Sequence, residues 1–104
     1  AFETLIAFAD SVAAGFCAWR QTAADEAELL NLGVDPAWRR RGVASALLST
    51  LREVARGDIL LEVAAPNAVA IALYERQGWV RTGVRPGYYG HGSINAVVMK
   101  KRSW

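Results

Sequence analysis

The stretch Arg39-Arg40-Arg41-Gly42-Val43-Ala44-Ser45 sets a run of cations, a glycine and small residues where a helical pattern begins. Residues of these types at this spacing make an anion cradle. The first turn of a helix has backbone N–H groups without intrahelical partners, and the macrodipole adds positive potential there. Gly42 and Ala44 carry almost no side chain, so a phosphate can reach those donors, and the arginines add charge at the rim. A diphosphate is the ligand such a cradle fits. Farther along, Glu62 interrupts the apolar runs Ile59-Leu60-Leu61 and Val63-Ala64-Ala65. A carboxylate in a buried strand has either a partner, such as an arginine in a structural ion pair, or a task as an acid or base. Tyr74 falls in a second helical pattern. It reads equally well as a ring at the core edge with a wet hydroxyl or as a proton donor.

The elements that must position these residues follow from periodicity. Phe2 to Ala9 and Ala13 to Arg20 read as strands of a hairpin, broken at Asp10-Ser11. Thr22 to Glu26 is a polar turn, and Glu28 to Val34 a third strand, stopped by Asp35-Pro36. From Gly42 to Arg56 the residues Ala44, Leu47, Leu48, Leu51, Val54 and Ala55 recur at helical spacing, with Gly57 placed as a C-terminal cap. Ile59 to Ala64 is a nearly continuous apolar strand of the kind buried in a parallel pair. Asn67 caps a second helix, Ala68 to Gln77, which Gly78 ends. Val80 to Val84 and Ser93 to Lys100 are strands on either side of a loop, Arg85 to Gly92. The predicted order is three antiparallel strands, helix, strand, helix and two strands, an α/β (α+β) arrangement. A right-handed crossover joins the third and fourth strands as parallel neighbours. Ligands bind beyond the carboxyl ends of such strands. Here those ends are Val34 and Ala64-Ala65-Pro66-Asn67, the edge where the cradle begins.

Composition narrows the classes. The chain of 104 residues is 53% hydrophobic and 21% charged, with a net charge of +2. That is one small domain with a packed core and too little positive charge to imply nucleic acid. Lys100-Lys101-Arg102 reads as a solvated tail. Cys17 is the only cysteine and His91 the only histidine, so neither an intrachain disulfide nor a His/Cys metal cluster is expected. No apolar run is long enough to span a bilayer.

The run Arg39-Arg40-Arg41-Gly42-Val43-Ala44 resembles the coenzyme signature of the GNAT acetyltransferase superfamily: glutamine or arginine, two residues, glycine, one residue, then glycine or alanine. Its context is similar as well. Asn31-Leu32-Gly33-Val34-Asp35-Pro36 precedes it and Leu61-Glu62-Val63 follows one helix later. Asn67 to Trp79 and Arg85-Pro86-Gly87-Tyr88-Tyr89 resemble the RimI branch, the ribosomal-protein alanine N-acetyltransferases. The likeness runs from Glu28 to Met99, with Trp79 where phenylalanine is usual.

The resemblance implies a mixed, mostly antiparallel sheet with a splayed parallel strand pair and flanking helices. It implies a single acetyltransferase domain over residues 1–104, lacking the strand and two helices that usually come first. Acetyl-coenzyme A is the implied co-substrate, with no metal. The backbone of Arg40, Arg41, Gly42, Val43, Ala44 and Ser45, with Arg39, would hold its pyrophosphate. Leu32 and Gly33 would line the groove, the Val34 N–H would polarise the thioester carbonyl, and Asn67 would touch the pantetheine arm. Glu62 is implied as general base acting through water, and Tyr74 as the acid that protonates the departing thiolate. Gly33 suits a bulge that would splay the strand. Arg85, Tyr88 and Tyr89 would form the acceptor rim, with His91 a plain loop residue. The implied reaction is acetylation of a protein N-terminal α-amine, such as that of a small-subunit ribosomal protein, in the cytoplasm. No nucleic acid or membrane partner is implied. Small amines, lysine side chains and a non-catalytic coenzyme-binding role are the alternatives.

Overall fold

The computed structural model describes residues 1–102, apart from the side chain at position 89. Along the chain run β1 (Glu3–Ala9), β2 (Val12–Ala23), β3 (Glu26–Val34), α1 (Val43–Val54), β4 (Asp58–Ala64), α2 (Ala68–Arg76), β5 (Val80–Tyr89) and β6 (Ile94–Lys101). The strands form one sheet in the order β1-β2-β3-β4-β6-β5, with β3 and β4 parallel and every other pair antiparallel. This is the predicted element order.

Strict alternation along β4 buries Ile59, Leu61 and Val63 and turns Leu60, Glu62 and Ala64 the other way. The buried set joins Cys17 and Trp19 of β2, Ala27 and Leu29 of β3, and Val97 and Met99 of β6 on one face. Leu47, Leu48 and Leu51 of α1 and Ile71 and Tyr74 of α2 pack on that same face. The opposite face carries Glu62 and the exposed cross-strand pair Ile6 and Phe16.

The β3–β4 pair is closed at one end and open at the other. Its parallel partners are Glu26 with Asp58, Ala27 with Ile59 and Glu28 with Leu60, and pairing stops there although both strands continue. At the closed end the Gln21 side-chain amide donates to the carbonyls of Ala23 (2.9 Å), Glu26 (2.9 Å) and Arg56 (2.7 Å). Its oxygen accepts from Arg56 N–H at 3.0 Å. Gly57 lies so close to the Asp25 carbonyl that a Cβ there would collide with it. That is the role of Gly57; α1 is capped earlier, at Ala55.

The structure differs from expectation at other points too. The β3 bulge lies at Leu30, since Ala18 pairs with Asn31 and Trp19 with Leu29. Gly33 instead makes room for the Phe16 ring, which occupies the place its Cβ would take. β5 runs on through the expected loop as far as Tyr89, because an outermost strand tolerates Pro86. Lys100 and Lys101 belong to β6 rather than to a tail, and Lys100 Nζ pairs with Asp58 Oδ2 at 3.3 Å.

Candidate active site

A cleft of about 730 Å³ lies between the open end of β3 and the N-termini of α1 and α2. Leu32, Gly33, Val34, Arg39, Arg40, Gly42, Val43, Ala44, Ser45, Asn67 and Tyr74, all named from the sequence, line it. Arg41 does not. Its guanidinium lies over the Trp38 ring, 5.2 Å from the centroid.

The cradle is built from main chain. Asp35 caps the turn Pro36–Trp38 by accepting from Ala37 N–H at 2.9 Å, which ends β3 and swings the chain toward α1. Arg40 (φ 61°) and Gly42 (φ 81°) both sit in the left-handed region. An L-residue such as Arg40 pays roughly 1–2 kcal/mol for this, a strain typical of ligand clamps. Among the described residues no side chain caps the α1 N-terminus at Gly42, and no acidic residue stands in its first turn. The amides that open α1 therefore face the cleft beneath Arg39 and Arg40, a setting suited to a diphosphate. The Ser45 hydroxyl is engaged elsewhere, accepting from Gln77 Nε2 at 2.9 Å.

The β3 end supplies another donor. Asp35 N–H donates to the Ala14 carbonyl at 2.8 Å, on the β2 side. Alternation then turns the Val34 N–H the opposite way, into the gap where β4 has parted from β3. The sequence suggested this splay through Gly33, whereas the bulge that accompanies it is at Leu30.

On α2, Asn67 accepts from Ala70 N–H at 3.1 Å as the helix cap and also lines the cleft. Leu73 and Arg76 line it from the same helix face. Arg76 escaped the sequence reading. Its spacing of threes from Asn67 through Ala70 and Leu73 is the signal that would have found it. Tyr74 is buried, its ring centroid 5.7 Å from that of Trp79.

Glu62 and Tyr74 lie on opposite faces of the sheet, and Glu62 is not part of the cleft wall. Glu62 is the first residue on its face beyond Leu60, the last β4 residue paired with β3. Its Oε1 accepts from Arg85 Nη1 at 2.9 Å, so the structural ion pair, one of the two sequence readings, is present. The Arg85 guanidinium also lies over the Tyr88 ring, 4.5 Å from the centroid. The side chain of Tyr89 falls outside the described residues. His91 is exposed on a short turn at φ 54°.

Burial raises the Cys17 thiol from 9.0 to about 11, so it stays protonated at neutral pH and serves as packing rather than as a nucleophile. Among the described residues no cluster of histidine, cysteine or carboxylates could hold a metal ion, and no helix is long and apolar enough to cross a membrane.

The acetyltransferase (GNAT) family model matches residues 1–79. The chain is 38% identical over 91 residues to the N-alpha-acetyltransferase RimI of Mycobacterium tuberculosis, covering 86% of this chain and 58% of that protein. It is 42% identical over 85 residues to the ribosomal protein bS18-alanine N-acetyltransferase of Salmonella typhimurium, covering 76% of this chain and 57% of the relative. The crystal structure of the ribosomal-protein-S18-alanine N-acetyltransferase from Escherichia coli superposes with a TM-score of 0.84 at 34% identity, covering 97% of this chain and 68% of the other. The chain thus spans less than two thirds of the two curated relatives.

Proposed function

The chain belongs to the acetyltransferase (GNAT) family, and from that premise we propose that it moves an acetyl group from acetyl-coenzyme A to the α-amino group of a protein N-terminus. The transfer is direct, with both substrates bound. The observation that carries this reading is the parting of β3 from β4 after Glu28 and Leu60, beside an uncapped helix N-terminus. The cleft lies on the helix side of that gap, and Glu62, Arg85 and Tyr88 stand on the other side.

The residues divide the work. The α1 amides, Arg39, Arg40 and Arg76 hold the coenzyme phosphates, while Leu32, Asn67 and Leu73 line its arm. The Val34 N–H points at the thioester oxygen, where negative charge develops as the amine attacks. Glu62 takes the proton that the amine loses, directly or through one water, as the N–C bond forms. The C–S bond breaks, and Tyr74 gives the departing thiolate its proton. The products are an N-acetylated amine and the free coenzyme thiol. Tyr88 stands at the acceptor rim.

The acceptor follows from ionisation and from likeness. At pH 7 the neutral fraction of an α-amine (pKa ~7.7–8.0) is a few hundred times that of a lysine (~10.4), so one carboxylate base suits a chain terminus. The name of the relative at 38% identity favours an α-amine, and that of the relative at 42% identity favours an alanine of a ribosomal protein as the substrate. Calorimetric titration with acetyl-coenzyme A, followed by thiol release with alanine-starting peptides and with a panel of small amines, tests the reading. Binding and peptide-dependent release are expected. Release with the small amines alone would move the acceptor assignment to a small molecule, and binding without any release would leave a coenzyme-binding module.

A further inference from the structure

The two oxygens of Glu62 have different surroundings. Oε1 is held by Arg85 Nη1 at 2.9 Å, while Oε2 is buried and has no hydrogen-bond partner among the described residues. A carboxylate oxygen withdrawn from water without a donor is unfavourable, so a small shift that lets a proton-bearing group reach it in the working complex is favoured. Resting on the reaction proposed above, we infer that Arg85 is a positioning residue for the base: it occupies Oε1 and leaves Oε2 as the oxygen that receives the amine proton.

The surroundings of Arg85 support this. The Arg85 side chain is 57% exposed, and an ion pair so open to solvent adds little stability. What the contact does supply is orientation. Arginine commonly grips both oxygens of a carboxylate through its fork; here the contact is made with one. The guanidinium is held on its other side by the Tyr88 ring. Its route to Glu62 crosses β6, where Arg85 is level with Ala96, a fully buried small residue that leaves the passage clear. Tyr88, Arg85 and Glu62 therefore form a chain of contacts from acceptor rim to base. In the transfer step Oε2 accepts the proton lost by the amine as the N–C bond forms, the C–S bond breaks, and the thiolate takes a proton from Tyr74.

The test follows acetyl transfer to an alanine-starting peptide by the wild type, Glu62→Gln, Arg85→Met and Arg85→Lys, with calorimetric coenzyme binding as the check on folding. Arg85→Met should lower kcat about 10- to 100-fold, the cost of a misaimed catalytic group, with peptide KM and coenzyme affinity unchanged. Arg85→Lys, which keeps a donor and the charge, should recover most of that loss. A normal kcat with a raised peptide KM in Arg85→Met would make Arg85 an acceptor contact and overturn the inference. So would a loss in both variants accompanied by weaker coenzyme binding, which marks a structural role. Wild-type transfer with a slow Glu62→Gln and a fully active Arg85→Met would sink the positioning role alone. Absence of transfer by the wild type would sink the reaction, and this role with it.

Discussion

The two sides of the β3–β4 gap are made of different material. On the helix side the proposed chemistry is presented by main chain: the amides that open α1 and the Val34 N–H, with Gly42 at φ 81° setting the direction. On the far side the proposed chemistry is presented by side chains: Arg85 of β5 touches both Glu62 of β4 and Tyr88 of its own strand. Main-chain donors tolerate changes of side chain as long as the backbone keeps its dihedral angles. A site made of side chains is lost with a single atom. Substitutions on the two sides should therefore differ in kind as well as in size.

The largest effect belongs on the side-chain side. Glu62→Gln removes one ionisable group and should lower kcat by about 10²- to 10⁴-fold, the usual range for a positioned base. Coenzyme affinity, measured by calorimetry, should not change; parallel losses in both would make Glu62 structural. On the main-chain side, Gly42→Val should weaken coenzyme binding about tenfold through left-handed strain worth roughly 1–2 kcal/mol. Space is not the obstacle, since a Cβ at Gly42 would meet nothing within 4 Å. Gly42→Asn, which tolerates that conformation, should lose less, and equal losses would argue for steric exclusion instead. The smallest effect is expected at Ser45→Ala. The hydroxyl is engaged with Gln77, so denaturation should show a loss of about 1 kcal/mol. Coenzyme affinity should stay within about twofold, and a larger drop would mean that the hydroxyl itself meets the phosphate.

The same division explains what the sequence could reveal. The main-chain side is local: the turn at Asp35-Pro36, the glycine at 42 and the helix that follows are contiguous, and their spacing carried the cradle. Asn67 was readable as a cap for the same reason. The contact between Glu62 and Arg85 joins residues 23 positions apart on strands separated by β6, and only the strand order brings them together. The sequence showed that Glu62 needed a partner or a task, but could not name Arg85 as the partner. In sequence a glycine after a helix looks the same whether it caps the helix or, as Gly57 does, yields space to Asp25. The extent of β5 beyond Val84 is hidden in the sequence because Pro86 and Gly87 are loop formers, and being an edge strand is a property of the assembled sheet.

The grip of Gln21 on Ala23, Glu26 and Arg56 has a mechanical consequence. Two rods riveted at one end behave as tongs, and the rivet governs how far apart the tips stand. From Glu26 to Val34 is roughly 25 Å of extended chain at ~3.3 Å per residue, so a small rotation at the rivet is magnified at the jaws. A glutamine remote from the cleft thus helps to hold the jaw width that the proposed thioester would meet.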